Sequence, residues 1–422
     1  MDLFKKFAGY FEVFSDRKLW AFMGSGLIVS VAYMDPGNWG TDISGGALFN
    51  YDLLWVVWLA SGMAMLFQYL SGKLGIAGYS LPELVKEKLK RKWLVISYWI
   101  LAEFVILATD LAEFLGIVVA LNLLFGIPLI WGAYLAVADV LLILLLTKNK
   151  FRTLEQAFIL FVSIIGLGYV YELFLTKPDF SAILVHSVKP MLNKESALVA
   201  VGIIGATVMP HALFVHSWLI KNKLIANNFG NKMQALKYHL VDNVVSLTIA
   251  GLINAAIIIM SAAAFYKLGT QVVTLDQAYT TLIPLFGKFA ALVFALALLS
   301  AGVSSSVTGT LAGQSVMDGL TSFRISIWLR RIITRFINLI PVTIAIILNI
   351  EPLKILVLSQ VALSLLLPLP LIPLIIYTSD KKIMKELVNK KITTIFAIFF
   401  GIVILGFNAY LLYQILFQGV GI

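Results

Sequence analysis

The 422-residue chain contains no cysteine, and charged residues make up only 13% of it. The missing thiols exclude thiolate catalysis, disulfide staples and thiolate metal sites at once. The shortage of charge excludes an ordinary soluble domain, where roughly a quarter of residues are charged. With 12 prolines and 30 glycines, a fibrous or disordered chain is excluded as well. What fills the sequence is apolar: 60% of residues are hydrophobic and the mean hydropathy is +0.94. So much apolar surface calls for lipid as its solvent, and the chain reads as an all-α polytopic membrane protein.

A spanning helix takes about 20 mostly apolar residues. Eleven stretches qualify, at approximately 19–47, 53–77, 93–122, 127–146, 155–175, 197–220, 239–264, 286–317, 332–350, 353–377 and 392–416. The longest connections, near 177–196, 221–238 and 265–285, are too short for an extramembrane domain. Residues 1–18, with Lys5, Lys6, Arg17 and Lys18, read as a cytoplasmic lead-in. They do not read as a cleaved signal, because the next span is long and carries Asp35. Of the 32 Lys and Arg residues, 26 fall on one side of this layout and six on the other. Basic loops mark the cytoplasmic side, which predicts a cytoplasmic N-terminus and, with eleven spans, an extracellular C-terminus. The net charge of +10 is thereby a topology signal, and nucleic-acid binding has no support.

Two spans are interrupted in polar surroundings. The first reads Ala32-Tyr33-Met34-Asp35-Pro36-Gly37-Asn38-Trp39, and the sixth Gly205-Ala206-Thr207-Val208-Met209-Pro210-His211. Proline lacks the N–H of a helical residue and clashes with the carbonyl four residues back, so both helices should break near mid-membrane. Freed carbonyls are tolerated there only where they face a cavity or ligand. The breaks occupy corresponding positions in two five-span halves, 19–175 and 197–377, with 392–416 as an added eleventh helix. Paired interrupted helices point to a transporter's binding site, and an odd number of spans per half makes the repeats inverted.

Asp35 is costly in mid-bilayer, by roughly 2.5–3.5 kcal/mol on insertion scales. It reads either as half of a structural ion pair or as a cation ligand. Asn38 offers an amide oxygen or a helix cap, Ala206 a backbone carbonyl, and Met209 a thioether or mere core filling. Carboxylate and amide alone suit Mg²⁺ or Ca²⁺. A thioether shifts the preference toward late first-row metals and Cd²⁺, with Mn²⁺ and Fe²⁺ the natural physiological choices.

These two runs resemble those of the Nramp (natural resistance-associated macrophage protein) family of proton-coupled divalent-metal transporters. Further matches are Gly40-Thr41-Asp42, Ser80-Leu81-Pro82-Glu83, Ala108-Thr109-Asp110-Leu111-Ala112-Glu113-Phe114, His216-Ser217, Gly313-Gln314, Arg330-Arg331 and Ser359-Gln360. The resemblance spans almost the whole chain and implies a LeuT-like fold, with the transported metal as substrate rather than cofactor. It also implies metal ligation by Asp35, Asn38, Ala206 and Met209, with Gln360 approaching in some states. The family's magnesium-transporting relatives lack the methionine.

Span three carries Glu103, Asp110 and Glu113 on one helical stripe, too many carboxylates to face lipid. Arg330, Arg331, His211 and His216 are placed opposite them. The set reads as a salt-bridge network or as a proton route between the metal site and the cytoplasm, and the resemblance favours the route, with Asp35 serving metal and proton alike. Thr109 is a candidate for the inner gate or for helix packing. Asp139 and Glu172 are expected in structural pairs, and His186 in a solvated outer connection. Within transport, the alternatives are a Mg²⁺ carrier, opposed by Met209, and a sodium-coupled amino-acid transporter, in which a fixed Asp35 would be out of place. A channel or membrane enzyme lacks its signatures: the four histidines do not cluster, and His-Glu-x-x-His is absent. The expected protein is a monomer in the cell membrane that imports divalent metal with protons.

Overall fold

The computed structural model describes residues 19, 25–139, 151–226, 231–266, 274–321 and 325–417, without the side chains of 151–155, 157, 158 and 226. The lead-in over 1–18 and the later part of span four lie outside the described residues. Among those described, all regular structure is helical. In chain order it runs α1 (Ser25–Ala32), α2 (Pro36–Phe49), α3 (Leu54–Ala77), α4 (Leu81–Lys88), α5 (Lys92–Phe125), α6 (Leu129–Ala136) and α7 (Phe151–Thr176). There follow α8 (Phe180–Val188), α9 (Ser196–Val208), α10 (Pro210–Ala226), α11 (Lys232–Ser261), α12 (Leu275–Phe286), α13 (Lys288–Leu320) and α14 (Ile327–Ile347). The chain closes with α15 (Pro352–Leu366), α16 (Pro368–Ser379), α17 (Lys381–Met384) and α18 (Lys391–Phe417).

Eight helical stretches among the described residues are long and apolar enough to cross a membrane. The three other expected spans miss that standard for different reasons. Span one is split into α1 and α2, span four continues past residue 139 beyond the described residues, and α14 carries Arg330, Arg331 and Arg335. Both predicted breaks are present, after α1 and after α9. A third was not anticipated: span ten divides at Leu367, between α15 and α16, where Pro368 opens the second piece. Two of the longest connections, 177–196 and 265–285, hold short helices, α8 and α12.

The broken helices sit at the centre, wrapped by longer ones. Asp242 of α11 accepts the Gly26 N–H at 2.8 Å and so occupies a donor at the start of α1. Ser261 donates to the Ile43 carbonyl at 2.7 Å, tying the other end of α11 to α2. At the basic face, Lys221 of α10 meets Glu83 of α4 at 2.5 Å, and the Leu81 N–H meets Ser217 Oγ at 2.9 Å. Burial pushes the Glu83 carboxyl up, but Lys221 and the Ser80 N–H outweigh it and hold the group below the ordinary glutamate range.

Helix α9 approaches α15 backbone to backbone. A Cβ on Gly205 would run into the Gln360 carbonyl oxygen and lie 2.7 Å from the Ser364 nitrogen. Both are backbone atoms and cannot swing aside. Gly205→Val is therefore expected to lower stability by about 1–3 kcal/mol through overpacking. Gly62→Ala, in open space on α3, should be neutral or slightly stabilising, since alanine is the better helix former. Unfolding temperatures of the two purified variants in detergent check this ordering.

Candidate functional site

The first break is built around one carboxylate. Backbone turns at Tyr33, Met34 and Asp35 close α1 with bonds of 3.1–3.2 Å to carbonyls three residues back. Asp35 then adopts extended φ/ψ (−68°, 164°) and caps α2, with Pro36 at the first helical position where an N–H is dispensable. Its Oδ1 accepts the Asn38 backbone N–H at 2.8 Å and the Asn38 side-chain amide at 2.9 Å. Its Oδ2 is buried with no partner. The cap is thus Asp35 rather than Asn38, and one carboxylate both starts the half-helix and keeps an oxygen to offer.

The second break supplies a carbonyl and a sulfur. Helix α9 ends at Val208, and Met209 takes φ +46°, a conformation sparsely populated by side-chain-bearing residues. Strain of this kind costs on the order of 1–3 kcal/mol and persists where the surroundings enforce it. Its N–H reaches back to the Gly205 carbonyl at 3.2 Å, and Pro210 opens α10. The Ala206 carbonyl accepts the Asn38 Nδ2 donor at 3.0 Å. One side-chain amide therefore bridges the two breaks.

Asp35, Asn38, Ala206, Met209 and Gln360 are all fully buried. Gln360 of α15 leans on the first break so closely that Gly37 has no room for a Cβ, and its Oε1 has no partner. The Asn38 Oδ1 accepts Asn254 Nδ2 at 3.2 Å and the Thr207 hydroxyl at 3.4 Å. Sequence reasoning missed both residues. Asn254 had a signal, an amide in the middle of an apolar span, while Thr207 is indistinguishable from a packing threonine. In the present amide orientation Nδ2 faces Asp35 and Ala206, so a half-turn of the side chain would present Oδ1 to the same point. Among the described residues, no three His, Asp or Glu side chains are grouped to hold a metal. A cation at this point would rely on one carboxylate, neutral oxygens and the thioether, helped by the negative ends of α1 and α9.

The span-three stripe does not act as one unit. Glu103 meets Arg330 at 2.5 Å and accepts the Trp99 indole N–H at 2.9 Å. Asp110 is bound by Arg331, by Arg335 at 3.3 Å and by the Asn338 amide at 2.7 Å. Asp139 takes Arg331 at 2.7 Å, Arg335 and the Ser306 hydroxyl. The expected structural pair of Asp139 thus exists, but Arg335, one turn beyond Arg331 on α14, was not foreseen as its partner. Glu113 is fully buried beside Gly309 and makes no direct ion pair, with Asp110 and Arg331 within electrostatic reach. Glu172 departs from the expected pairing too, since neither of its oxygens has a partner.

The histidines divide. His211 Nδ1 lies 3.1 Å from the Thr109 hydroxyl, which also donates to the Val105 carbonyl at 3.0 Å. His211 thereby links the second break to α5. His216 is turned away from the carboxylates: its Nδ1 is 2.8 Å from Gln68 Oε1, and its ring lies 5.0 Å from that of His239. The i to i+5 spacing on α10 sends the two imidazoles to different neighbours. His186 is not simply solvated, since its Nδ1 lies 3.1 Å from Asp52.

Removing one member of a buried ion network strands the others, at about 3–5 kcal/mol, whereas more exposed pairs contribute far less. Asp139→Asn is expected to lower the unfolding temperature in detergent well below that of Glu103→Gln, whose pair is more open to solvent.

Residues 26–414 match the Natural resistance-associated macrophage protein-like family. The chain is 42% identical to the divalent metal cation transporter MntH of Deinococcus radiodurans over 402 residues, covering 95% of this chain and 91% of that protein. It is 45% identical to MntH of Verminephrobacter eiseniae over 395 residues, covering 93% and 89%. Its fold superposes on the crystal structure of the Eremococcus coleocola manganese transporter, in complex with an aromatic bis-isothiourea substituted compound. That match has a TM-score of 0.82 at 31% identity, over 92% of this chain and 85% of that one. The nucleobase-cation symporter Mhp1 shares the fold alone, with a TM-score of 0.54 at 14% identity over 93% and 88% of the two chains. The chain belongs to the Nramp family: it is a multi-pass membrane transporter of the LeuT-like fold, not an enzyme, and divalent metal cation is its cargo.

Proposed function

We propose that this chain imports Mn²⁺ or Fe²⁺ into the cytoplasm together with protons, by alternating access around the two breaks. Asp35, the Asn38 amide oxygen, the Ala206 carbonyl and Met209 are the ligands, with Gln360 reaching the ion from α15. The observation that carries this reading is the bridge from Asp35 through Asn38 to Ala206, beside a methionine held at positive φ. The thioether contributes little to a hard ion and more to Mn²⁺, Fe²⁺, Co²⁺ or Cd²⁺, which sets the site against Mg²⁺ and Ca²⁺.

Proton release follows a separate route. Asp35 serves metal and proton, His211 and Thr109 lead from the second break to α5, and Glu113, Asp110 and Glu103 continue toward Arg331 and Arg330. His216, packed on His239, tunes this route from α10 rather than standing in its line. The two halves, 19–175 and 197–377, act as inverted repeats with helix 392–416 added, and the protein works as a monomer.

In liposomes, the wild type should accumulate Mn²⁺ and acidify the lumen. Met209→Ala should reduce the preference for Mn²⁺ over Mg²⁺ by about tenfold, equivalent to about 1.4 kcal/mol. His211→Ala and Asp110→Asn should uncouple acidification from uptake. A wild type that moves no Mn²⁺ defeats the proposal, and unchanged selectivity in Met209→Ala defeats the role of the sulfur.

The excess of basic residues on one side of the layout supports an N-terminus in the cytoplasm and a C-terminus outside. Because the chain has no native cysteine, single introduced thiols report sidedness without background. Lys189→Cys should react in whole cells with a membrane-impermeant maleimide, and Lys90→Cys only after the membrane is opened. The reverse pattern would invert the orientation.

A further inference from the structure

Two buried acids remain outside the metal site and the arginine network. Asp42 lies on α2, seven residues beyond Asp35, or about 10 Å along the helix axis. Glu172 lies in the last turns of α7. The two residues are 1% and 2% exposed, and all four of their carboxylate oxygens lack a partner.

The aromatic residues one turn earlier on each helix fix how these acids are placed. Trp39 and Tyr169 are fully buried and pack edge to face, with ring centroids 5.0 Å apart. Spans one and five run in the same direction, and residues three apart share a helix face. Asp42 therefore follows Trp39, and Glu172 follows Tyr169, each one turn along from that ring contact. Both carboxylates lie within electrostatic reach of the Tyr169 hydroxyl. That hydroxyl and the Trp39 indole N–H are themselves unpartnered, so the Tyr169 hydroxyl is a buried polar group that both carboxylates share as a neighbour.

A buried carboxylate without a countercharge costs several kcal/mol, so neither group is stable there as a bare anion. Asp35, on α2 itself, is the acid whose charge acts on Asp42, and Glu113 lies beyond it on α5. The basic groups at the nearby ends of packed helices, Lys288 on α13 and Lys354 on α15, are exposed. A metal is poorly served, because no third carboxylate or imidazole joins the pair and an indole N–H cannot ligate. A proton needs none of these.

We propose that Asp42 and Glu172, with the Tyr169 hydroxyl and the Trp39 indole N–H, form a second proton-binding site on the outward side of the metal site. The site holds its proton on a carboxyl beside the Tyr169 hydroxyl and takes it from the outer solution. The sidedness rests on the orientation proposed above; the existence of the site does not.

Infrared difference spectra of the wild type between acid and alkaline pH, with Asp42→Asn, Glu172→Gln and the double variant, test this directly. Both substitutions conserve volume. A protonated-carboxyl stretch should be reduced in each single variant and lost in the double, and the dependence of Mn²⁺ uptake on outside pH should flatten. Monodispersity on size exclusion checks the fold, and Glu172→Gln alone decides the matter if the double variant does not assemble. An identical carboxyl band in folded variants overturns the site. A second bound Mn²⁺ per chain that disappears in Asp42→Asn overturns it in favour of a metal waypoint. The band reports the pair without any transport, so failure of proton coupling in the wild type is distinguishable from failure of this site.

Discussion

In hydrocarbon, every carbonyl, amide and carboxylate must find its partner inside the protein, and this fold arranges its interior around the few groups that would otherwise lack one. Each break frees backbone groups that an intact helix would have used. Asn38 answers for both, reaching Asp35 on its own helix and the Ala206 carbonyl across the centre. Asn254 and Thr207 hold its other end. The result is a buried polar cluster sealed by apolar packing, in which Asp35 Oδ2, Asn254 Oδ1 and Gln360 Oε1 remain unpartnered oxygens suited to a cation.

The same accounting separates structure from traffic in the wider set of charges. Asp110 and Asp139 are surrounded by guanidinium groups of α14 and fasten that helix to α5 and α6. Asp42 and Glu172 are as deeply buried but have no such support, and Glu113 feels Arg331 without a direct ion pair. Carboxylates of the first kind hold helices together. Those of the second kind are, on the proposed function, sites for a proton alone, whereas Asp110 both fastens helices and stands on the proposed route. His211, joined to Thr109 on one side and open at Nε2, has the same double character beside the second break.

Much of this was legible in the sequence. Hydropathy located the spans, and Asp35-Pro36 and Met209-Pro210 located both breaks, because a proline beside a polar side chain is incompatible with an unbroken apolar helix. The break at Leu367 was not legible, since Pro368 sits among residues as apolar as any in span ten. Local pattern finds a carboxylate but not its partner: Arg335 and Asn338 lie more than two hundred residues from Asp110. Nor can it tell Asp139, which has two arginines, from Glu172, which has none. His216 shows the limit most plainly, since its place in a matching run says nothing of which neighbour its ring will face.

The central claim is that a thioether and a carboxylate bind the same ion between two broken helices. X-ray absorption at the metal edge of the purified protein loaded with Cd²⁺, a soft probe of the same site, tests it most directly. The account predicts one sulfur scatterer among oxygen ligands in the wild type, and its loss in Met209→Ala. An all-oxygen shell in the wild type would contradict it.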